Sequence, residues 1–516
     1  MNNKWHQAFI LIPLFLLLII FSAFVPVEKN KSGETLYNLY CASCHGVSGD
    51  GDGELAYLVY PKPRDFTTGK YKIKSTLPGN PPTNQDLFNT INKGMPGTAM
   101  PAFNFLKDNE IKSLVDFVKK FSSLNNQNVK QIPTPSDLAP TQELIDLGKL
   151  IYNETGCNMC HGESGKGDGP SSNKLTDSRG YPIVPKDFTT GVYVGGATKR
   201  DLYLRFMSGI DGTPMPSYGN LSDLLGRPKD EGNKLAWALV HYVKSLESKK
   251  IDKFDDQLHN GRITATKTKR FIQPKQFLDV NNNLWSSGAS HLIPISRLWQ
   301  SSKVNYQMIN VKVLYNSKYI AAKMEWKDES QNQGLYRVQD FQDGAAMQFS
   351  IDGSEGFHGM GSKEHPTDIW FWKAEWQSKK NVYSDILRAY PNRVSDSNAK
   401  TYPQLMNDNA YQAGRDANNI NSADTKESPI ENVMAVGPQT VKSLPGNEQT
   451  VMGSGIWDGE KWQVVFVRKL RSDSKQKVDF SIGQSFPIAF AIWNGDEKDR
   501  NGQKMVSTWY QLDLKD

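Results

Sequence analysis

Two copies of Cys-x-x-Cys-His, Cys41-Ala-Ser-Cys44-His45 and Cys157-Asn-Met-Cys160-His161, use up all four cysteines of this chain. Two thiols three residues apart, at the end of a helix, can each bond a vinyl group of one porphyrin. The histidine that follows is then held under the iron. The pattern predicts two covalent c haems: Cys41 and Cys44 attach the first, Cys157 and Cys160 the second, with His45 and His161 as proximal ligands. A structural zinc site needs two converging Cys-x-x-Cys pairs and would leave both histidines without a task. A redox dithiol wants a βαβ setting, which neither flank offers.

The residues after each motif repeat as well. Gly51-Asp-Gly53 aligns with Gly167-Asp-Gly169, Pro63-Arg-Asp-Phe-Thr-Thr-Gly69 with Pro185-Lys-Asp-Phe-Thr-Thr-Gly191, and Gly97-Thr-Ala-Met-Pro101 with Gly212-Thr-Pro-Met-Pro216. A helix precedes each haem motif, ending near Tyr40 and Tyr152. An amphipathic helix closes each copy, Glu110 to Phe121 and Asn233 to Leu246. Over roughly residues 30 to 250 the chain resembles tandem, all-α, class I cytochrome c domains. Methionine is the common sixth ligand of such haems. Only Met100 and Met215 share an alignment column, so they are the expected distal ligands. Met95 and Met207 read as core filling, and Met159 lies on a loop tied to the porphyrin edge.

The 61 basic and 55 acidic residues are close to balance, which gives no reason to expect nucleic acid. Lys4 and His6 precede an apolar run from Ala8 to Val27. Residues 1–28 therefore read as a signal peptide or, being long enough to span a bilayer, a membrane anchor. Either puts the rest on the periplasmic side of a bacterial inner membrane, anchored there or soluble after cleavage. The first cytochrome unit is expected over 29–125 and the second over 141–248. Between them a linker, 126–140, carries Pro133, Pro135 and Pro140, with Asp137 or Thr141 capping the next helix. A polar linker, 249–275, follows.

Beyond it the pattern turns to period-two alternation. Met308 to Leu314 and Tyr319 to Trp326 flank Asn316-Ser317 as a hairpin, and Trp462 to Leu470 and Pro487 to Trp493 read as strands. Ten of twelve tryptophans lie after residue 280, so residues 276–516 predict an all-β sandwich with a large aromatic core. Residues 392–425 are Asn-, Asp- and Ser-rich, a length that marks a functional or docking excursion. Several segments carry a resemblance: Phe341-Gln-Asp-Gly-Ala-Ala-Met-Gln-Phe349, Met360-Gly361, Pro366-Thr-Asp-Ile-Trp-Phe-Trp-Lys-Ala374, Tyr411-Gln-Ala-Gly-Arg415, Ala491-Ile-Trp-Asn-Gly495 and Arg500-Asn-Gly-Gln-Lys504. They resemble the haem-b-binding γ subunit of ethylbenzene dehydrogenase and the related γ subunits of selenate reductase, chlorate reductase, dimethylsulfide dehydrogenase and nitrite oxidoreductase. The resemblance implies one non-covalent haem b, held between Met360 and Lys504. It also implies a molybdenum and iron–sulfur oxidoreductase as partner, with a redox-partner cytochrome or membrane complex at the other end. Rival ligands by residue type are His358 and His365, then Lys469 and Met347. The fused c units depart from the simple γ subunits and put the mode of attachment to such a partner in question.

The sequence therefore predicts an exported three-haem electron-transfer chain without a catalytic residue of its own. An iron with two protein ligands has no open position for substrate. Two other readings stay open: a peroxidase-type haem enzyme, and a dihaem cytochrome c carrying a haem-free binding domain.

Overall fold

The structure, a computed structural model, describes residues 31–95, 98–104, 106–122, 129–247, 261–297, 306–335, 338–353, 359–378 and 427–515. The apolar N-terminal segment and residues 392–425 lie outside the described residues. Among the described residues no helix is long and apolar enough to cross a membrane.

The two helical units are built alike. The first runs α1 (Gly33–Tyr40), α2 (Ala42–His45), α3 (Asn84–Lys93) and α4 (Asp108–Val118). The second runs α5 (Gln142–Glu154), α6 (Cys157–His161), α7 (Lys199–Ser208), α8 (Leu221–Leu224) and α9 (Gly232–Ser245). Their starts are fixed by side chains that accept the free amides of a first turn. Ser32 accepts from the Thr35 amide and Thr141 from that of Leu144, while Thr83 with Asp86 and Thr198 with Asp201 form matching capping boxes. Of the two cap candidates before α5, Thr141 is the cap. Asp137 instead pairs with Lys199 at 2.7 Å and His241 at 3.1 Å. The closing helix of the first unit stops at Val118, and a 3₁₀ turn, Lys119–Phe121, completes it.

In each unit the first and last helices cross at a glycine. A Cβ on Gly33 would lie 2.0 Å from the Ser113 carbonyl oxygen, and one on Gly148 would lie 2.0 Å from that of Ala238. The first core gathers Leu36, Ile111 and Leu114; the second gathers Ile151, Leu235 and Leu239. Helix α4 buries one face only, whereas α9 is buried all round from Leu235 to Val243. The linker before α5 helps cover it, since His241 Nε2 lies 2.8 Å from the Leu138 carbonyl oxygen. The same linker bonds back to the first unit through the Ile132 amide and the Ser75 carbonyl at 2.8 Å.

The C-terminal region is all β. Its strands are β1 (Arg262–Thr264), β2 (Thr266–Lys267), β3 (His291–Arg297), β4 (Tyr306–Tyr315), β5 (Tyr319–Lys327), β6 (Gly344–Ser350), β7 (Thr367–Lys373), β8 (Ile430–Ala435), β9 (Lys442–Ser443), β10 (Met452–Trp457), β11 (Lys461–Lys469), β12 (Ser485–Trp493), β13 (Met505–Val506) and β14 (Tyr510–Asp513). They pair in the order β10-β11-β5-β4-β3-β13-β12-β6-β7-β8-β9, with β14 on β12 and β1 on β14. Residues from both ends of this path, Met324 and Val464 on one side and Met347, Trp370 and Ile488 on the other, share one core. That core encloses an ion pair, Arg468 to Asp368 at 3.0 Å. The rings of Trp370 and Phe480 lie 5.2 and 5.1 Å from the guanidinium, which keeps the buried charge solvated by protein.

The 249–275 stretch is not linker throughout. Strand β1 runs parallel to β14, Ile263 is fully buried, and the short helix Pro274–Leu278 buries Phe277 against β11. Period-two counting passes over such short strands because three residues carry no periodicity.

Candidate haem sites

The two cysteine motifs sit on α2 and α6, directly after the first long helix of each unit. In both, the histidine Nδ1 donates to a backbone carbonyl: His45 to Arg64 at 2.9 Å and His161 to Lys186 at 3.0 Å. A carbonyl can only accept, so the proton is on Nδ1 and the Nε2 lone pair is left for a metal. Stacking on Phe66 (4.5 Å) and Phe188 (4.3 Å) fixes the ring planes. Burial pushes His45 down to about 4 and also lowers His161. Both imidazoles are therefore neutral at pH 7, as ligation requires. Burial raises the thiols of Cys41, Cys44 and Cys157, that of Cys41 to about 12. The motif is clamped by Tyr37 and Tyr152, whose hydroxyls donate to the Gly46 and Gly162 carbonyls at 2.7 Å.

The distal loops also match atom for atom. Thr98 donates to the Met95 carbonyl and accepts from the Met100 amide; Thr213 does the same between Ile210 and Met215. Met95 thus occupies the position of Ile210, so a sulfur recurs only at Met100 and Met215. Met215 is partly buried against the core of its unit, and Met207, on α7, packs there too. Met159 is 47% exposed.

The third site lies on the outer face of the β domain. Cross-strand register places Phe371, Ala346, Ala491 and Val506 in one row over β7, β6, β12 and β13. With Ile369, Val433 and Ala435 they form an apolar cluster separate from the main core. Three of its members, Ala346, Ala435 and Ala491, are alanines, so the sheet carries little side-chain bulk there. Met360 and Trp493 pack at its margin, and Lys504 points its ammonium at the Met360 sulfur from 3.8 Å. Lys504 is 9% exposed, has the Trp493 ring 4.9 Å away, and is lowered by burial to about 8. The Met360 loop is held by bonds from the Gly437 amide to the Met360 carbonyl (2.9 Å) and from Gln348 to the Gly359 carbonyl (2.8 Å). Gly361 turns there at a φ of 78°, where a Cβ would meet the His365 carbonyl at 2.7 Å.

The rival ligands sit elsewhere. His365 is engaged with Asp352 at 2.6 Å on the surface, Lys469 is exposed, and Met347 faces the main core. His358 lies outside the described residues. The donor sets fit the groups expected of them. Each c site offers two thiols, a neutral imidazole with a free Nε2 and a thioether in one repeated frame; the β site offers a thioether and a desolvated amine beside an apolar face. Sequence reasoning missed the small-residue face, which could have been read from the alternate alanines at 346 and 491. It also missed the Arg64 and Lys186 carbonyls that hold the histidines, one position after the repeated Pro63 and Pro185.

Comparison with known proteins agrees with this division. Residues 31–122 and 145–247 match the cytochrome c family, and residues 282–505 match the ethylbenzene dehydrogenase family. The chain thus joins tandem cytochrome c domains to a domain like the ethylbenzene dehydrogenase γ subunit. It is 21% identical over 46% of its length to a protein of Haloferax mediterranei assigned as a respiratory nitrate reductase heme subunit, covering 68% of that protein. It is 22% identical over 40% of its length to the chlorate reductase subunit gamma of Ideonella dechloratans, covering 64%. The chain thus spans about two thirds of these curated relatives. A chain of the Kuenenia stuttgartiensis reducing HAO-like protein complex is 41% identical, with 42% of this chain and 96% of that one covered and a TM-score of 0.39.

Proposed function

We propose that this protein is a periplasmic-side electron-transfer subunit holding two c haems and one b haem. It relays single electrons between a molybdenum oxidoreductase and the respiratory chain, through a partner cytochrome or membrane complex. The observation that carries the reading is the pairing of two repeated His/Met frames with a buried Lys504 facing a half-buried Met360 on one chain. Bound haem would supply a one-electron iron couple. The chain's own residues would do the rest: Cys41, Cys44, Cys157 and Cys160 would bind covalently, His45 and Met100 would hold the first iron, and His161 and Met215 the second. Met360 and Lys504 would hold the third. With two protein donors offered to each iron, each site would favour electron transfer over substrate activation.

We assign the units to residues 29–125, 141–248 and 276–516, with strand β1 added to the last, and read that last unit as a β-sandwich. An N-terminal signal or anchor over 1–28 fits export and would give the membrane contact. The reading is tested by acid-acetone extraction of the purified chain. The expected result is one extractable haem and two that remain on the polypeptide. No extractable haem would reduce the protein to a dihaem cytochrome with a haem-free domain. Carbon monoxide binding by the untreated reduced protein would favour the peroxidase-type alternative.

A further inference from the structure

The two helical units depart from their common repeat at two places, and both departures meet at the seam between them. Sixteen positions separate Gly169 from Pro185 in the second unit, but ten separate Gly53 from Pro63 in the first. Conversely, fourteen positions lead from Gly69 to the capping Thr83, but seven from Gly191 to Thr198. The second unit's extra residues carry Arg179, which donates to the first unit's Pro63 carbonyl at 3.2 Å. The first unit's extra stretch follows Lys74 and is tied down at home. Ser75 donates to Asp86 through its amide (2.9 Å) and its hydroxyl (3.0 Å), and Thr76 donates to the Pro81 carbonyl at 2.9 Å.

From that anchorage Lys74 reaches out of its unit. Its side chain is fully buried, and its ammonium donates to Asp211 of the second unit at 2.6 Å and to the Asn80 carbonyl at 3.1 Å. Arg205 on α7 donates to the Lys72 and Lys74 carbonyls and so fixes the backbone from which the lysine projects. A lysine is seldom fully buried unless paired, and breaking a buried ion pair is strongly destabilising. The place of Asp211 gives the pair a use. It follows Ile210, whose amide donates to the Met215 carbonyl at 3.2 Å, so it stands inside the loop that presents Met215. Arg64, also from the first unit, lies over the next residue, where a Cβ on Gly212 would come 2.6 Å from its Nη1. In the first copy the repeat puts Pro96 at the position of Asp211, a side chain that cannot pair with a lysine.

We propose that Lys74 is a positioning residue for the second haem: by pairing with Asp211 across the seam it holds the Met215 loop closed, so the first unit stabilises methionine ligation in the second. The inference rests on the ligand assignment proposed above. The tie runs one way, because the Met100 loop carries proline where the acid would have to be.

The test uses imidazole as a competitor for the ferric c irons of the full-length holoprotein. Imidazole binds an iron only while its methionine is off, so its apparent affinity rises with the population of open loop. Met100→Ala and Met215→Ala, each opening one iron, assign the two binding steps. Lys74→Met and Asp211→Asn should each lower the apparent imidazole Kd of the second haem about tenfold, a moderate effect because the Asp211 side chain is 30% exposed. The first haem's step should keep its parental value. The double variant should be no more open than Asp211→Asn alone, since both changes remove one bond. Arg179→Ala, an exposed change that loosens the seam away from the loop, should leave the second step in place. The proposal is overturned if the second step does not move in Lys74→Met, if both c steps move together, if the single effects add in the double variant, or if Arg179→Ala moves the second step as far. Should Met215→Ala open neither c iron, the ligand assignment itself falls and takes the inference with it; two assigned steps with an unmoved second one overturn the tie alone.

Discussion

The c sites and the β-domain site hold their ligands by opposite means. Each c site is assembled within one unit, with two thiols and an imidazole on a single helical turn and the methionine on a nearby loop closed by its own threonine. The β site brings together Met360 and Lys504, far apart in sequence, and places them at one edge of a sheet face. A covalent site can lose a ligand and keep its cofactor. A site made of two distant donors on an apolar face cannot be expected to.

The largest expected effect follows from that difference. Lys504→Ala should turn the b-type spectrum from low-spin to partly high-spin and allow carbon monoxide to bind the reduced protein, while the c bands stay as they are. Lys504→Arg should do the same, since a guanidinium has no lone pair to give. A parental b spectrum in both variants would break the comparison. Gly33→Ala and Gly148→Ala test how alike the c units are. Each forces a methyl group against a backbone carbonyl and should destabilise its unit by about 1–3 kcal/mol, read as thermal melting. Unequal losses would mean that the seam supports one unit more than the other.

Met100→His should leave the first haem attached but lower its potential by roughly 100 mV or more, the direction in which methionine ligation acts. If Met95→His gave the shift instead, the assignment from the repeat would be wrong. The smallest effect concerns pH. Burial, reinforced by neighbouring acids, raises Asp328 to about 6 and Asp343 to about 7. The unfolded carboxyls titrate near 3.9. Between about pH 4 and 7 the folded state therefore binds more protons than the unfolded one, and stability falls as pH rises. The melting transition of the β domain should be lower at pH 8 than at pH 5, and Asp328→Asn should flatten the slope.

The same contrast explains what could be read in the chain. Both c frames were legible in the chain because their geometry is local, and a repeat supplies an internal control: Met95 falls outside the shared alignment column and Met100 within it. The hairpin at Asn316 was legible for the same reason, its side chain capping the turn by accepting the Lys318 and Tyr319 amides. Lys504 was not, because an isolated lysine in a charged loop reads as solvent-exposed. Only the resemblance pointed to it, and only packing shows it buried. Strand β1 escaped because three residues inside a polar, basic stretch carry no alternation.

Strand β1 has a consequence in time. It lies beside β14, and β14 also completes the partner set of β12, so the β domain joins nearly its first residues to its last. A chain delivered from its N-terminus can close each helical unit once about a hundred residues have emerged, since their contacts are mostly local. The β domain must wait for Tyr510–Asp513, and Lys504 arrives only just before them. Covalent attachment can thus be complete while the sheet is still open. Any cofactor of the β domain has to be captured last, by a domain already tethered to two finished ones.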